Sequence, residues 1–235
     1  IISYYLENGK INLAKKAIKL GLEQHPDSSN LALFEIEIFI FENKLDNAEK
    51  LLDDLILSEP SNEEIYIQKA NIYSKRKLHQ KAIVWLNKIL QFNTENAEVY
   101  SLIGIEYLFM EDFENAKSNF IKCLNYDDSD YSALYNIVYC FEILEQNKNA
   151  IDYLNNYLDT NPYCEVAWHQ LGKQYLFLKN YSKAISAFDF AIISDEYFIG
   201  AYIEKGRALE KINQFTDAIE NYKLIIALKD ESSYP

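Results

Sequence analysis

The stretch AEVYSLIGIEYLFMEDFENAKSNFIKCLNYDDSD, residues 97–130, decides the fold of this chain. Its apolar residues recur every three or four positions in two runs, residues 100–108 and residues 113–124. Polar residues 111–112 separate the runs, and the polar stretch 127–130 ends the second one. This spacing predicts two short amphipathic helices, because the apolar residues of a half-buried strand would alternate with polar ones.

The pattern recurs along the whole 235-residue chain, most visibly as an alanine every 34 residues. These alanines are Ala14, Ala48, Ala82, Ala116, Ala150, Ala184 and Ala218. Self-similarity at one period indicates an array of a single repeated unit, and each repeat must bury its apolar face against its neighbours. The sequence therefore predicts an all-α array of stacked helix pairs.

Aligned repeats share a further pattern, which is an aromatic residue, then Leu-Gly, then Tyr, Ala and a second aromatic residue or Leu. One repeat shows it at Trp168, Leu171, Gly172, Tyr175, Ala184 and Phe188. At these residues the chain resembles the tetratricopeptide repeat family, in its bacterial form. The resemblance implies a right-handed α–α superhelix with a concave groove. It also implies a single array over residues 1–235, divided into a partial repeat 1–28 and the full repeats 29–62, 63–96, 97–130, 131–164, 165–198 and 199–232.

The small residues of the repeat have a steric reason. Glycine at 104, 172 and 206, like the recurring alanines, is expected where the two helices of a pair approach most closely, since a larger side chain would force them apart. Ile36 and Val138 replace the small residue in two repeats, where the packing must differ. Charged residues replace Leu or Ile at Glu35, Lys69 and Lys205, and we expect their stems to lie on apolar surface with their heads in water.

Composition narrows the function classes. The net charge of −13 argues against a nucleic-acid-binding surface, and no stretch approaches the roughly 20 apolar residues that cross a bilayer, so neither nucleic acid nor membrane insertion is expected. Three irregularly spaced cysteines favour free thiols in a reducing, cytoplasmic compartment over a disulfide framework. The chain begins with Ile1 rather than Met, which leaves a preceding signal peptide or anchor open.

The sequence carries no pattern that predicts catalysis or a cofactor. It lacks a glycine-rich phosphate loop, a nucleophile elbow and a His-Glu metalloprotease signature. The three histidines, His25, His79 and His169, fall in three different repeats, so no metal site is expected. We therefore predict a non-catalytic scaffold for protein–protein interaction.

The family resemblance also places a candidate ligand-binding site in the concave groove, which the first helix of each repeat lines. The side chains implied are Tyr135, Asn136, Tyr139, His169, Gln170, Lys173 and Arg207. Two cations 34 residues apart, Lys173 and Arg207, could hold an acidic side chain or carboxylate of a bound segment, while the tyrosines supply rigid contact area. The open alternative is that these residues are solvated and balanced by Glu142, Glu204 and Glu210.

Two other functions stay open at this stage. The array could be a regulatory or targeting region of a larger enzyme. It could also be an oligomerising structural element, because the last helix, from Phe215 onward, has an apolar side that no later helix in the sequence covers.

Overall fold

The computed structural model describes residues 1–231, with side-chain surroundings up to Leu228, and this part of the chain is helical throughout apart from its turns. The helices are α1 (Ile2–Glu7), α2 (Ile11–Gln24), α3 (Ser29–Phe41), α4 (Leu45–Ser58), α5 (Glu63–Lys75), α6 (His79–Ile89), α7 (Ala97–Phe109), α8 (Phe113–Tyr126), α9 (Tyr131–Ile143), α10 (Asn147–Thr160), α11 (Glu165–Phe177), α12 (Tyr181–Ser194), α13 (Ile199–Lys211) and α14 (Phe215–Glu231). Consecutive helices form antiparallel pairs, one pair to each 34-residue repeat. This confirms the all-α fold class.

The chain divides into two compact parts, which we call the N-terminal half (Ile1–Asp127) and the C-terminal half (from Asp128 onward). Within each half, the second helix of one repeat packs against the first helix of the next, as α4 does against α5 and α12 against α13. Each half therefore buries a continuous core between its own helices. A single array over residues 1–235 stays a prediction.

The turn inside each repeat has the same backbone geometry. In the repeat that holds α9 and α10, the Gln146 N–H donates to the Phe141 carbonyl at 2.8 Å and the Glu145 N–H donates to the Glu142 carbonyl at 3.0 Å. These are the two bonds of a Schellman motif, which needs a left-handed residue at its centre. Only the first turn has glycine there, and the other left-handed residues are Asn43, Lys77, Glu111, Glu145, Lys179 and Asn213, with φ between 56° and 61°. The usual glycine signal is therefore absent from these turns, although their polar character predicts them.

The small residues lie where the helices of a pair meet, as expected. A Cβ added to Gly104 would lie 2.7 Å from the Phe120 ring, and one added to Gly172 would overlap the Phe188 ring. Each partner ring stands sixteen positions after its glycine (188 minus 172). The recurring alanines are equally enclosed, because every one of them is at most 2% exposed.

Two repeats have a larger residue in place of the glycine, and the residue that packs against it is smaller than an aromatic ring. Ile36 and Val138 fill the place of the glycine, and the residues sixteen positions later are Leu52 and Leu154 rather than aromatic residues. All four side chains are buried. A large residue on the first helix is therefore matched by a smaller one on the second, which keeps the volume between the helices filled without overlap.

The expectation for Lys69 is wrong. Its side chain is only 2% exposed, and its ammonium group pairs with Asp53 and lies 3.5 Å from Glu49 rather than reaching water. It also lies 5.2 Å from the centre of the Trp85 ring. Lys205 shows a milder form of the same arrangement, with Nζ 2.6 Å from Asp189 and the side chain 24% exposed. These lysines pair across the interface between repeats because the carboxylates stand sixteen positions earlier, on the preceding helix.

Candidate binding face

The candidate groove residues all belong to the C-terminal half and to the first helices of its repeats. α11 contacts both α9 and α13, so these three helices lie side by side. We call the surface formed by their candidate residues the α9–α11–α13 face. It carries Tyr135, Asn136, Tyr139, His169, Gln170, Lys173 and Arg207. The binding role of this set stays a prediction.

The aromatic part of the face is open to solvent. Tyr135 is 41% exposed and Tyr139 is 45% exposed, while Asn136 beside them is half-buried. Partial burial raises the pKa of the Tyr135 hydroxyl, and the nearby Glu165 carboxylate and Cys164 thiol raise it further. The hydroxyl is therefore protonated at neutral pH and available as a hydrogen-bond donor.

The two cations of the face, Lys173 and Arg207, differ in their ion pairing. Arg207 is exposed, and its Nη1 donates to the Glu204 carboxylate at 2.6 Å. Lys173 is also exposed, and within residues 1–228 it forms no ion pair. The other two carboxylates that could balance it have different partners, since Glu142 accepts from Gln174 at 2.7 Å and Glu210 accepts from the Tyr222 hydroxyl at 3.0 Å. Arg207 therefore has a carboxylate partner on its own helix, whereas Lys173 has no ion-pair partner within residues 1–228.

The His169 side chain packs against neighbouring aromatic rings. Its ring meets the Phe198 ring edge-on at 5.1 Å and lies beside Phe188 at 5.8 Å. Burial, and secondarily the charge of Lys173, lower the pKa of His169 to about 4, so the imidazole is neutral at pH 7. Both ring nitrogens are buried, and no described residue hydrogen-bonds to either of them. His169 therefore takes part in this face through packing and carries no charge at pH 7.

Gln170 lies below the surface. Its side chain is 2% exposed, and no described residue hydrogen-bonds to its Oε1. The sequence position alone suggests a groove-lining residue, but the side chain is buried. The exposed members of the candidate set are Tyr135, Tyr139, Lys173 and Arg207, and Asn136 is half-buried.

The sequence reasoning missed one buried carboxylate in the N-terminal half. Glu106 on α7 is 7% exposed, and its Oε2 lies 2.7 Å from Nδ1 of His79. The signal was available, because aligned repeats have Ile38 and Ile72 at the same place. A carboxylate at a place that is apolar in neighbouring repeats marks a local departure from simple core packing.

Three further features of the described residues concern metal ligands, membrane spans and cysteines. Between residues 1 and 231 there is no group of three or more His, Cys, Asp or Glu side chains that could hold a metal ion. None of the helices described is both long and apolar enough to cross a bilayer. Cys123, Cys140 and Cys164 are buried, and no disulfide joins them. Cys164 serves instead as a helix cap, since its Sγ accepts from the Ala167 N–H at 3.4 Å.

Comparison with known proteins agrees with the all-helical repeat fold. The sequence model described as tetratricopeptide repeat matches residues 63–96 and 97–130. Among curated proteins, the chain is similar to anaphase-promoting complex subunit 3 of Schizosaccharomyces pombe, with 23% identity over 183 residues. That match covers 78% of this chain but only 28% of the relative, so the chain spans little more than a quarter of its length.

Solved structures resemble the chain in fold. The crystal structure of MamA protein has a TM-score of 0.56 at 22% identity and covers 73% of this chain and 93% of its own. YrrB, described as a TPR protein with an unusual peptide-binding site, has a TM-score of 0.51 at 22% identity and covers 76% of this chain and 92% of its own. Residues 63–130 therefore match the tetratricopeptide repeat, and the other helix pairs within residues 1–231 show the same recurring buried small residues as these two repeats.

Proposed function

We propose that the chain is a non-catalytic protein-interaction scaffold whose C-terminal half binds an acidic protein segment on the α9–α11–α13 face. The observation that carries the proposal is Lys173, an exposed cation that forms no ion pair within residues 1–228, on a helix next to the one that exposes Tyr135 and Tyr139. An incoming carboxylate gains a charge-assisted hydrogen bond without displacing an internal partner. The tyrosines add apolar contact area at a small cost in conformational entropy.

Arg207 is expected to join this interaction by exchanging partners. Its bond to Glu204 is exposed on the arginine side, with the Arg207 side chain 62% exposed. Such surface ion pairs contribute about 0–1 kcal/mol, so an acidic ligand can compete for the guanidinium. Two of the similar proteins, whose names state an assembly or a binding site, support the class of function. One is a subunit of the anaphase-promoting complex, and YrrB is described as having a peptide-binding site.

The double variant Lys173→Glu with Arg207→Glu is expected to lose the partner, with affinity falling at least about tenfold because two attractive charges become repulsive. The measurement is affinity capture with the wild-type chain, followed by titration calorimetry of the captured segment against both proteins. Lys148→Glu with Lys223→Glu is the matched control, since it changes two exposed lysines of α10 and α14 and alters the net charge equally. Unchanged affinity in the groove variant, or equal losses in both, would exclude this face as the site.

A second candidate is self-association through the last helix described. Phe215, Ile219 and Ile226 on α14 are 57%, 55% and 63% exposed. At the place equivalent to Ile219, the N-terminal half has Ile83, which is 3% exposed because the next repeat covers it. If this surface joins chains, sedimentation velocity will show a mass that rises with concentration and falls to the monomer in Ile219→Glu. A monomer at every concentration contradicts it.

The chain could also serve as the regulatory or targeting region of a larger enzyme. Its match to only part of a curated relative is compatible with this arrangement. The protein sequence on both sides of residues 1–235 distinguishes this proposal from an independent scaffold, since a flanking catalytic domain would carry motifs that these residues lack.

A further inference from the structure

A small cavity opens on the N-terminal half between α5, α6 and α7. Its volume is about 270 Å³, and its apolar walls are Ile67, Ala70, Leu86 and Leu102. Three polar side chains also line it, namely Asn71, Ser74 and Glu106. A mostly apolar cavity with a few convergent polar groups is the usual composition of a site that holds one side chain or a small ligand.

Glu106 is the distinctive group of this cavity. The side chain is 9% exposed, and its Oε2 is occupied by the Nδ1 of His79 at 2.7 Å. The His79 ring is in turn held by stacking on Phe109, with the ring centres 5.2 Å apart. The other oxygen, Oε1, has no hydrogen-bond partner among the described residues, and Glu106 lines the cavity.

The aligned repeat in the C-terminal half shows what a purely structural polar residue looks like at this place. Gln174 occupies the position equivalent to Glu106, and Asn147 occupies the position equivalent to His79. Asn147 donates to Gln174 Oε1 at 3.1 Å, and Gln174 Nε2 donates to Glu142 at 2.7 Å. Both ends of Gln174 are thus satisfied inside the protein. Glu106 keeps the bond to the preceding repeat but leaves its second oxygen for a donor from outside.

We propose that this cavity binds the side chain of a lysine or arginine from a protein segment. The aliphatic stem of that side chain would lie against Ile67 and Leu102, and the cationic head would donate to Glu106 Oε1 with Ser74 and Asn71 beside it.

The experiment is an NMR titration of the 15N-labelled chain with Nα-acetyl-arginine amide and, as the neutral near-isostere, Nα-acetyl-citrulline amide. The arginine probe is expected to shift the amides of Ala70, Leu102 and Glu106 saturably and to bind at least about tenfold more tightly than the citrulline probe. Nα-acetyl-lysine amide, run in parallel, shows which of the two cationic heads fits better. No saturable shift at these amides, or equal binding of arginine and citrulline, would overturn the proposal.

Glu106→Gln is the decisive variant, because the chain itself carries a glutamine at the equivalent position 174 in a folded repeat. Its amide oxygen can still accept from His79, so the fold is expected to persist while the preference for the cationic probe disappears. Glu98→Gln, which removes an exposed carboxylate from the same helix, serves as the control and should keep the preference. A Glu106→Gln variant that still prefers arginine would refute the role of the carboxylate.

The Lys173→Glu, Arg207→Glu variant must leave the titration unchanged, which keeps this test independent of the function proposed for the C-terminal half.

Discussion

Gly172→Val is expected to lower the free energy of unfolding of the C-terminal half by about 2–3 kcal/mol, the upper part of the range for overpacking a close-packed core. A Cβ at this position already overlaps the Phe188 ring, which is fully buried, so neither the ring nor the backbone can move aside without disturbing the core. The measurement is urea-induced unfolding followed by near-ultraviolet circular dichroism. Because the midpoint and slope are obtained together, a loss of stability can be distinguished from a change in the unfolding reaction.

Phe188→Leu is expected to rescue most of this loss when combined with Gly172→Val. The pair then matches Val138 and Leu154, which fill the equivalent places of the preceding repeat and are both buried. Alone, Phe188→Leu should cost about 1–2 kcal/mol through the space it leaves. The double-mutant cycle should therefore show a favourable coupling of more than about 1 kcal/mol.

Gly200→Val is the matched control for the glycine substitution. Gly200 also lies in a helix, but the nearest atom to an added Cβ is His169 Nε2 at 3.5 Å, an ordinary contact distance. It should cost clearly less than Gly172→Val. Equal costs at positions 172 and 200, or strictly additive effects in the cycle, would show that close approach to Phe188 is not the reason for the glycine.

Lys69→Glu is expected to have the largest effect, a loss of about 3–5 kcal/mol in the stability of the N-terminal half. It would replace a 2% exposed cation with an anion facing Glu49 and Asp53, and it would also remove the cation from the Trp85 ring. Because position 69 is only 2% exposed, solvent screens this repulsion less than it would screen a pair on the surface. Urea unfolding is again the suitable measurement, since guanidinium chloride would itself screen the charges.

The chain suggests its own rescue for this variant. Lys19 and Glu35 occupy the places equivalent to Asp53 and Lys69, with the signs of the charges reversed. Lys69→Glu with Asp53→Lys should therefore recover a substantial part of the lost stability. Lys205→Glu is the control, because the Lys205 side chain is 24% exposed whereas that of Lys69 is 2% exposed. A Lys69→Glu variant no less stable than Lys205→Glu would contradict the buried-pair interpretation.

Side-chain burial was harder to predict from single positions than the helices were. The charge of Lys69 suggested an exposed head, yet a carboxylate pair on the preceding helix holds it inside. Gln170 was placed in the groove by its position in the repeat, but neighbouring helices cover it. In both cases the answer depends on residues sixteen or more positions away, which the amphipathic pattern of one helix does not contain. Comparing the residues at equivalent positions of different repeats gives the best available indication of such burial from the sequence.

The amino-acid sequence by itself determined the helix pairs, their period and the buried small residues, because apolar spacing and steric fit act locally and recur in every repeat. The tertiary structure decided which charged groups are paired across repeats and which stay open. Within residues 1–228, Lys173 forms no ion pair and Glu106 Oε1 accepts no hydrogen bond. The physical reason is that an ionic or hydrogen-bonding partner is supplied by a different helix, and whether a charge is satisfied or available to a ligand depends on distances of a few ångströms that only the packing of the helices establishes.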